Sequence, residues 1–229
     1  MHIEPGVVVG AKMFLGYATG AGVIGAGLKL AYDNIKENGL ISFTIKALIS
    51  TVTVFSCFEV LPHYPVGVSE VHLILGTTLF LLFGIAPAMI GLAMGLLIQG
   101  VFFAPFDLPQ YGINVTTLLA SMLILYSVRK RIIPEGVAYK DLTYTQLLKL
   151  SVVWEGAIVG WVMFWAFYGQ GFGAENIQNV LAFGGSYMLV VILEPVIDMA
   201  VLSAVKAWDK GRCTRLFDKQ LNLCEVKAS

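Results

Sequence analysis

The sequence predicts an all-α membrane protein, a single bundle of six to seven transmembrane helices with its N-terminus outside and its C-terminus cytoplasmic. Three observations carry that expectation. Of 229 residues, 57% are hydrophobic and only 13% are charged, where a soluble domain carries about a quarter charged residues. Mean hydropathy is +0.78. The apolar residues also lie in blocks too long for strands, and lipid demands that a spanning segment satisfy its own backbone. The formal net charge is zero, which argues against a nucleic-acid partner.

Seven apolar segments are expected, at residues 7–30, 40–61, 71–83, 86–103, 114–128, 145–168 and 179–207. A span needs roughly 20 residues, so the third and fifth are short and are expected to be tilted or half-buried. The first contains "GYATGAGVIGAGLK". Its Ala18, Gly22 and Ala26 share one helical face, and Gly16 with Gly20 repeats the spacing. Small faces let helices approach closely in lipid, either inside the bundle or against a partner subunit. "GIAP" at 84–87 separates the third and fourth segments, because Gly with Pro ends helices. The sixth closes on Trp161, Trp165, Phe167 and Tyr168, and Trp208 follows the seventh, as aromatic belts do at membrane interfaces. Glu155, Glu194 and Asp198 fall inside the last two segments, where carboxylates are costly and suggest a role. A structural or assembly role is expected for them. Residues 1–207 therefore form the transmembrane unit, and 208–229 form a cytoplasmic tail of mixed charge.

Lys and Arg fix the expected orientation. "RKRIIPEGVAYK" at 129–140 and the basic tail belong inside. Seven spans then place the N-terminus outside, with loops 62–70, 104–113 and 169–178. None of these holds a Lys or Arg, and of fifteen basic residues only Lys12 falls on the outer side. The opening "MHIEPG" carries no basic residue either, so it is not a secretory signal. Cys57 sits in an apolar block, Cys213 and Cys224 lie in the tail, and no CxxC pair exists. Unpaired structural thiols are expected.

The three histidines, His2, His63 and His72, all map to the outer side. Position 2 is chemically special. Initiator Met removal requires a small following residue, so Met1 is expected to keep a free α-amine. That amine, the His2 amide nitrogen and His2 Nδ1 can close a five- and a six-membered chelate ring around one cation. A fourth nitrogen completes a square-planar set suited to nickel(II) or copper(II), with cobalt(II) possible, and ill suited to calcium or magnesium. His72, at the mouth of a helix, and His63, in an irregular loop beside Pro62 and Pro65, are both candidates for the fourth donor. Glu70, beside His72, adds negative charge near the site or is a plain interfacial carboxylate.

"MHIEPG", "GVSEVHLILG" (67–76), "LLIQGVFF" (96–103) and "GIN" (112–114) together resemble the CbiM/NikM family. These are the substrate-binding membrane subunits of energy-coupling-factor transporters for cobalt and nickel. The resemblance covers most of residues 1–115. It implies that the N-terminus dips into the bundle and binds nickel(II) or cobalt(II), as transported substrate, through the Met1 amine, His2 and one further histidine. Ser69 and His72 match the stretch that supplies that histidine, and Asn114 matches an asparagine near the site. His63 is left as a rim or approach residue. In the usual opening an acidic residue or proline stands otherwise: here Glu4 precedes Pro5, the reverse of the common Pro-Asp order.

The resemblance further implies a prokaryotic inner-membrane protein that works with a transmembrane scaffold subunit and ATPase subunits. No GxxxxGK[ST], HExxH or Ser-His-Asp pattern is present, so neither ATP hydrolysis nor another enzymatic activity is expected of this chain, nor an organic cofactor. The alternative reading is an accessory or structural subunit of a larger membrane complex, with metal transport reduced or lost.

Overall fold

The structure, a computed structural model, describes residues 2–208. Met1 and the tail calls beyond residue 208, Cys213 and Cys224 among them, lie outside the described residues. Seven α-helices follow one another: α1 (Met13–Asn38), α2 (Leu40–Phe55), α3 (Gly76–Phe83), α4 (Ile85–Phe102), α5 (Tyr111–Ile132), α6 (Tyr144–Gln170) and α7 (Ala174–Trp208). A two-stranded antiparallel hairpin, β1 (Tyr64–Val66) and β2 (Ser69–Val71), lies between α2 and α3.

Six helical stretches are long and apolar enough to cross a membrane. Their outward faces carry large apolar side chains such as Phe14, Ile41, Leu48, Leu181 and Leu189, all well exposed, which is what a lipid solvent requires. The chain is a multi-pass membrane protein. The fifth segment is longer than hydropathy suggested: α5 runs through the basic turn Arg129, Lys130 and Arg131.

The third segment departs from a continuous helix. β2 takes its first residue, residues 72–75 form a non-helical arm, and α3 supplies only eight residues. An eight-residue helix is about 12 Å long, and four extended residues add about 13 Å, so together they still traverse the bundle. Non-helical backbone at membrane depth is tolerated only when protein surrounds it. His72, Ile74 and all of Gly76–Phe80 are buried accordingly. Gly76 allows this packing, since a Cβ there would stand 2.2 Å from the Trp154 ring.

The small residues of α1 divide between two faces. Gly16 and Gly20 pack against α5, where a Cβ on Gly20 would meet the Gly112 carbonyl at 2.9 Å. Thr19 and Thr116 hydroxyls hydrogen-bond across the same seam at 2.9 Å. Ala18 and Gly22, by contrast, face outward and are exposed.

One end of the bundle gathers the N-terminal segment, the hairpin, the α4–α5 connection and the α6–α7 turn. Lys12 Nζ donates to the Gly169 carbonyl at 2.8 Å, and the hairpin turn at Gly67 rests on the Asn179 backbone of α7. Among the described residues, every Lys and Arg except Lys12 lies in the opposite half. There Tyr144 at the start of α6 hydrogen-bonds Ser203 near the end of α7, and Lys206 donates to the Leu142 carbonyl.

Candidate metal centre

The hairpin acquires a third strand from the start of the chain. Ile3 bridges Ser69 in antiparallel fashion. Glu70 N donates to the His2 carbonyl at 2.9 Å, and Glu4 N donates to the Val68 carbonyl at 3.1 Å. Position 4 therefore needs an N–H, which glutamate has and proline lacks. Ser69 Oγ donates to the His2 carbonyl at 2.8 Å, and Asn114 Oδ1 accepts from Ile3 N at 2.8 Å. Ser69 and Asn114 thus both grip the backbone beside His2.

This docking puts His2 inside the protein, 2% exposed, beside His72, also 2% exposed. Ligand atoms of His2, Glu70 and His72 all lie within 4.8 Å of one another. The imidazole centroids stand 5.5 Å apart. His2 Nδ1 hydrogen-bonds Glu70 Oε2 at 2.7 Å. His72 Nδ1 donates to the Leu73 carbonyl at 3.0 Å, which leaves the lone pair of that ring on Nε2. Two neutral imidazoles and a carboxylate form a donor set for a divalent transition metal. His63 is outside this group. It lies half-buried on the approach to the hairpin, with Nδ1 on the Leu61 carbonyl at 3.1 Å.

Two residues beside the site were not legible in the sequence. Phe58 packs against both rings, 4.5 Å from His72 and 5.5 Å edge-on from His2. It is aimed there by a π-helical turn, Ser56–Val60, at the end of α2, a geometry that recurs at functional sites. Gln99, in the "LLIQGVFF" stretch, donates to the Phe58 carbonyl at 3.2 Å and steadies that turn. Asp107 is the second. It is buried and shares a cleft with His2, Tyr111 and Asn114. Both residues sit in segments whose hydropathy signals only a span or a loop.

Burial lowers the His2 imidazole from its ordinary 6.5 to about 4, against the pull of Glu70. Burial pushes the Glu70 carboxyl up, but the hydrogen bond and charge of His2 outweigh it and hold Glu70 below its ordinary value. The His2 direction dominates at neutral pH, where the ring is uncharged and gives Glu70 a hydrogen bond. A depressed histidine binds fewer protons folded than unfolded, so the docked N-terminal strand is most stable above 6.5 and weakens as pH falls from 6.5 to 4. The loss expected across that window in metal-free protein is about 3 kcal/mol. Hydrogen exchange at the Glu4 amide reads it, and His2→Phe is expected to flatten the dependence. An unchanged profile in the variant sinks this account.

A family model described as the cobalt uptake substrate-specific transmembrane region, CbiM, matches residues 2–210. The chain belongs to the CbiM family. A search of curated proteins gives no match. Two crystal structures resemble this CbiM-family chain in fold. One, described as a truncated transition metal transporter, is 17% identical with a TM-score of 0.67, covering 90% of this chain and 98% of its own. The other, described as a transition metal transporter, is 17% identical with a TM-score of 0.66, covering 90% and 93%. At that identity they bear on the fold alone. CbiM membership makes this a protein of a metal-uptake family.

Proposed function

We propose that this chain captures nickel(II) or cobalt(II) from the outer side of the membrane, as the substrate-binding subunit of an energy-coupling-factor transporter. The observation that carries the reading is the convergence of His2, Glu70 and His72 donor atoms within 4.8 Å, at the bundle end whose described basic residues number only Lys12. That charge distribution supports an outward-facing site by the positive-inside rule. Glu4, Glu70 and Asp107 at the same end favour cation approach.

In this reading the Met1 amine, the His2 amide nitrogen, His2 Nδ1 and His72 hold the cation. The metal takes the place of the proton that His2 Nδ1 shares with Glu70, and Glu70 balances the charge. Ser69, Asn114 and Phe58 keep the strand and rings in register. The exposed Ala18–Gly22 face of α1 supports docking of a transmembrane scaffold subunit, and separate ATPase subunits supply the energy.

The test is metal analysis of purified full-length protein after exposure to nickel and cobalt in turn. About one ion per chain supports the reading. A chain that stays metal-free in both, while co-purifying with a non-transport complex, overturns it in favour of an accessory subunit.

A further inference from the structure

His72 sits on a backbone arm that cannot hold itself in place. Residues 72–75 form no helix, and their amides need partners inside the bundle. Leu75, at the N-terminus of α3, adopts φ 60, a left-handed conformation that is unfavourable for a non-glycine residue. No side chain of the arm caps α3, and its first turn holds no acidic residue.

Glu194, 120 positions along the sequence on α7, supplies what is missing. Its Oε1 accepts from Ile74 N and from Leu75 N, the latter at 2.9 Å. It therefore holds, from another helix, the two amides that lead into α3. Glu194 is fully buried and lies beside Glu155 on α6, whose Oε2 accepts from Tyr187 at 2.8 Å. One turn further along α7, Asp198 accepts from Thr78 and from Ser151, the latter at 2.6 Å. Asp198 thus grips α3 itself, while Glu194 grips the arm.

The arm then relays the constraint. The His72 ring is fixed by its bond to the Leu73 carbonyl, and that carbonyl belongs to the peptide whose N–H, on Ile74, Glu194 holds. We propose that Glu194 is a positioning residue for His72, setting the imidazole at the metal site from behind the arm. This rests on His72 being a metal donor.

The experiment measures nickel affinity and thermal unfolding of the purified full chain, in wild type, E194A, E194D, E194Q, D198N, H72A and the E194A/H72A double variant. E194A is expected to weaken binding about 10- to 100-fold, the usual effect of removing a support behind a metal ligand. E194Q is expected to recover most of it, because an amide oxygen still accepts both N–H groups. D198N is expected to lower the melting temperature with affinity within about threefold of wild type. In the H72A background the E194A change is expected to add nothing, since the residue acts through the histidine. Should E194A not fold, E194D, one methylene too short to reach both amides, takes its place with the same coupling. An E194A or E194D affinity within twofold of wild type overturns the proposal, as does an undiminished effect in the H72A background. Wild-type affinity in H72A itself would instead remove His72 as a donor, a failure of the functional reading.

Discussion

Replacing His2 with alanine is expected to abolish nickel and cobalt retention, and adding one residue ahead of Met1 is expected to do the same. The two variants fail for different reasons. His2→Ala removes the imidazole and with it one chelate ring. The extension leaves every side chain in place but moves the α-amine and turns the first nitrogen into an amide. Each should lower affinity by more than about a hundredfold, since either loss exceeds that of a supporting residue. Titration calorimetry on detergent-purified chains reads both. His63→Ala serves as the control. That ring lies outside the His2, Glu70 and His72 group, and affinity should stay within about threefold. Full binding by the extended chain excludes the amine as a ligand and leaves a site built from side chains alone.

Gly67→Ala is expected to be the most damaging single methyl group added near the site. Gly67 turns the hairpin at φ +63, a region that costs an alanine about 1–2 kcal/mol. A Cβ there would also lie 2.1 Å from the Asn179 carbonyl oxygen and 2.9 Å from its carbon. Both are backbone atoms of α7 and cannot rotate away, so overpacking adds roughly 1–3 kcal/mol. Together these should lower the melting temperature by roughly 5–15 °C. Metal affinity should fall too, because the hairpin carries Ser69 and Glu70 and leads into the His72 arm. Gly156→Ala, at a position with nothing within 4 Å, should change neither quantity. A stable Gly67→Ala protein with normal affinity would show that the hairpin can shift without cost.

The spans were legible because lipid imposes a simple rule on them, and six of the seven segments are helices long enough to cross. The third failed as a helix for a non-local reason. "VHLILGTTLFLLF" reads as uniformly apolar, yet its first residues are pulled out of helix by a carboxylate 120 positions away. No window of hydropathy contains that partner. The fifth segment reads short because its charged last turn has the hydropathy of a loop, yet the helix continues through it. At the site, His2, His72 and Glu70 stood out because histidines are few and the opening residues are distinctive. The strand pairing that unites residues 2–4 with 68–70 left no local pattern, since a single strand of three residues has no period to detect. Phe58 was hidden in a span for the same kind of reason: a π turn has no sequence signature of its own.

That three-residue ladder also orders events during biogenesis. Its two edges leave the ribosome well apart in time, because residues 2–4 pair with residues 68–70. A shorter nascent chain has nowhere to seat its leading strand. Newly made protein must therefore bring its earlier strand back to a hairpin that translation delivers later.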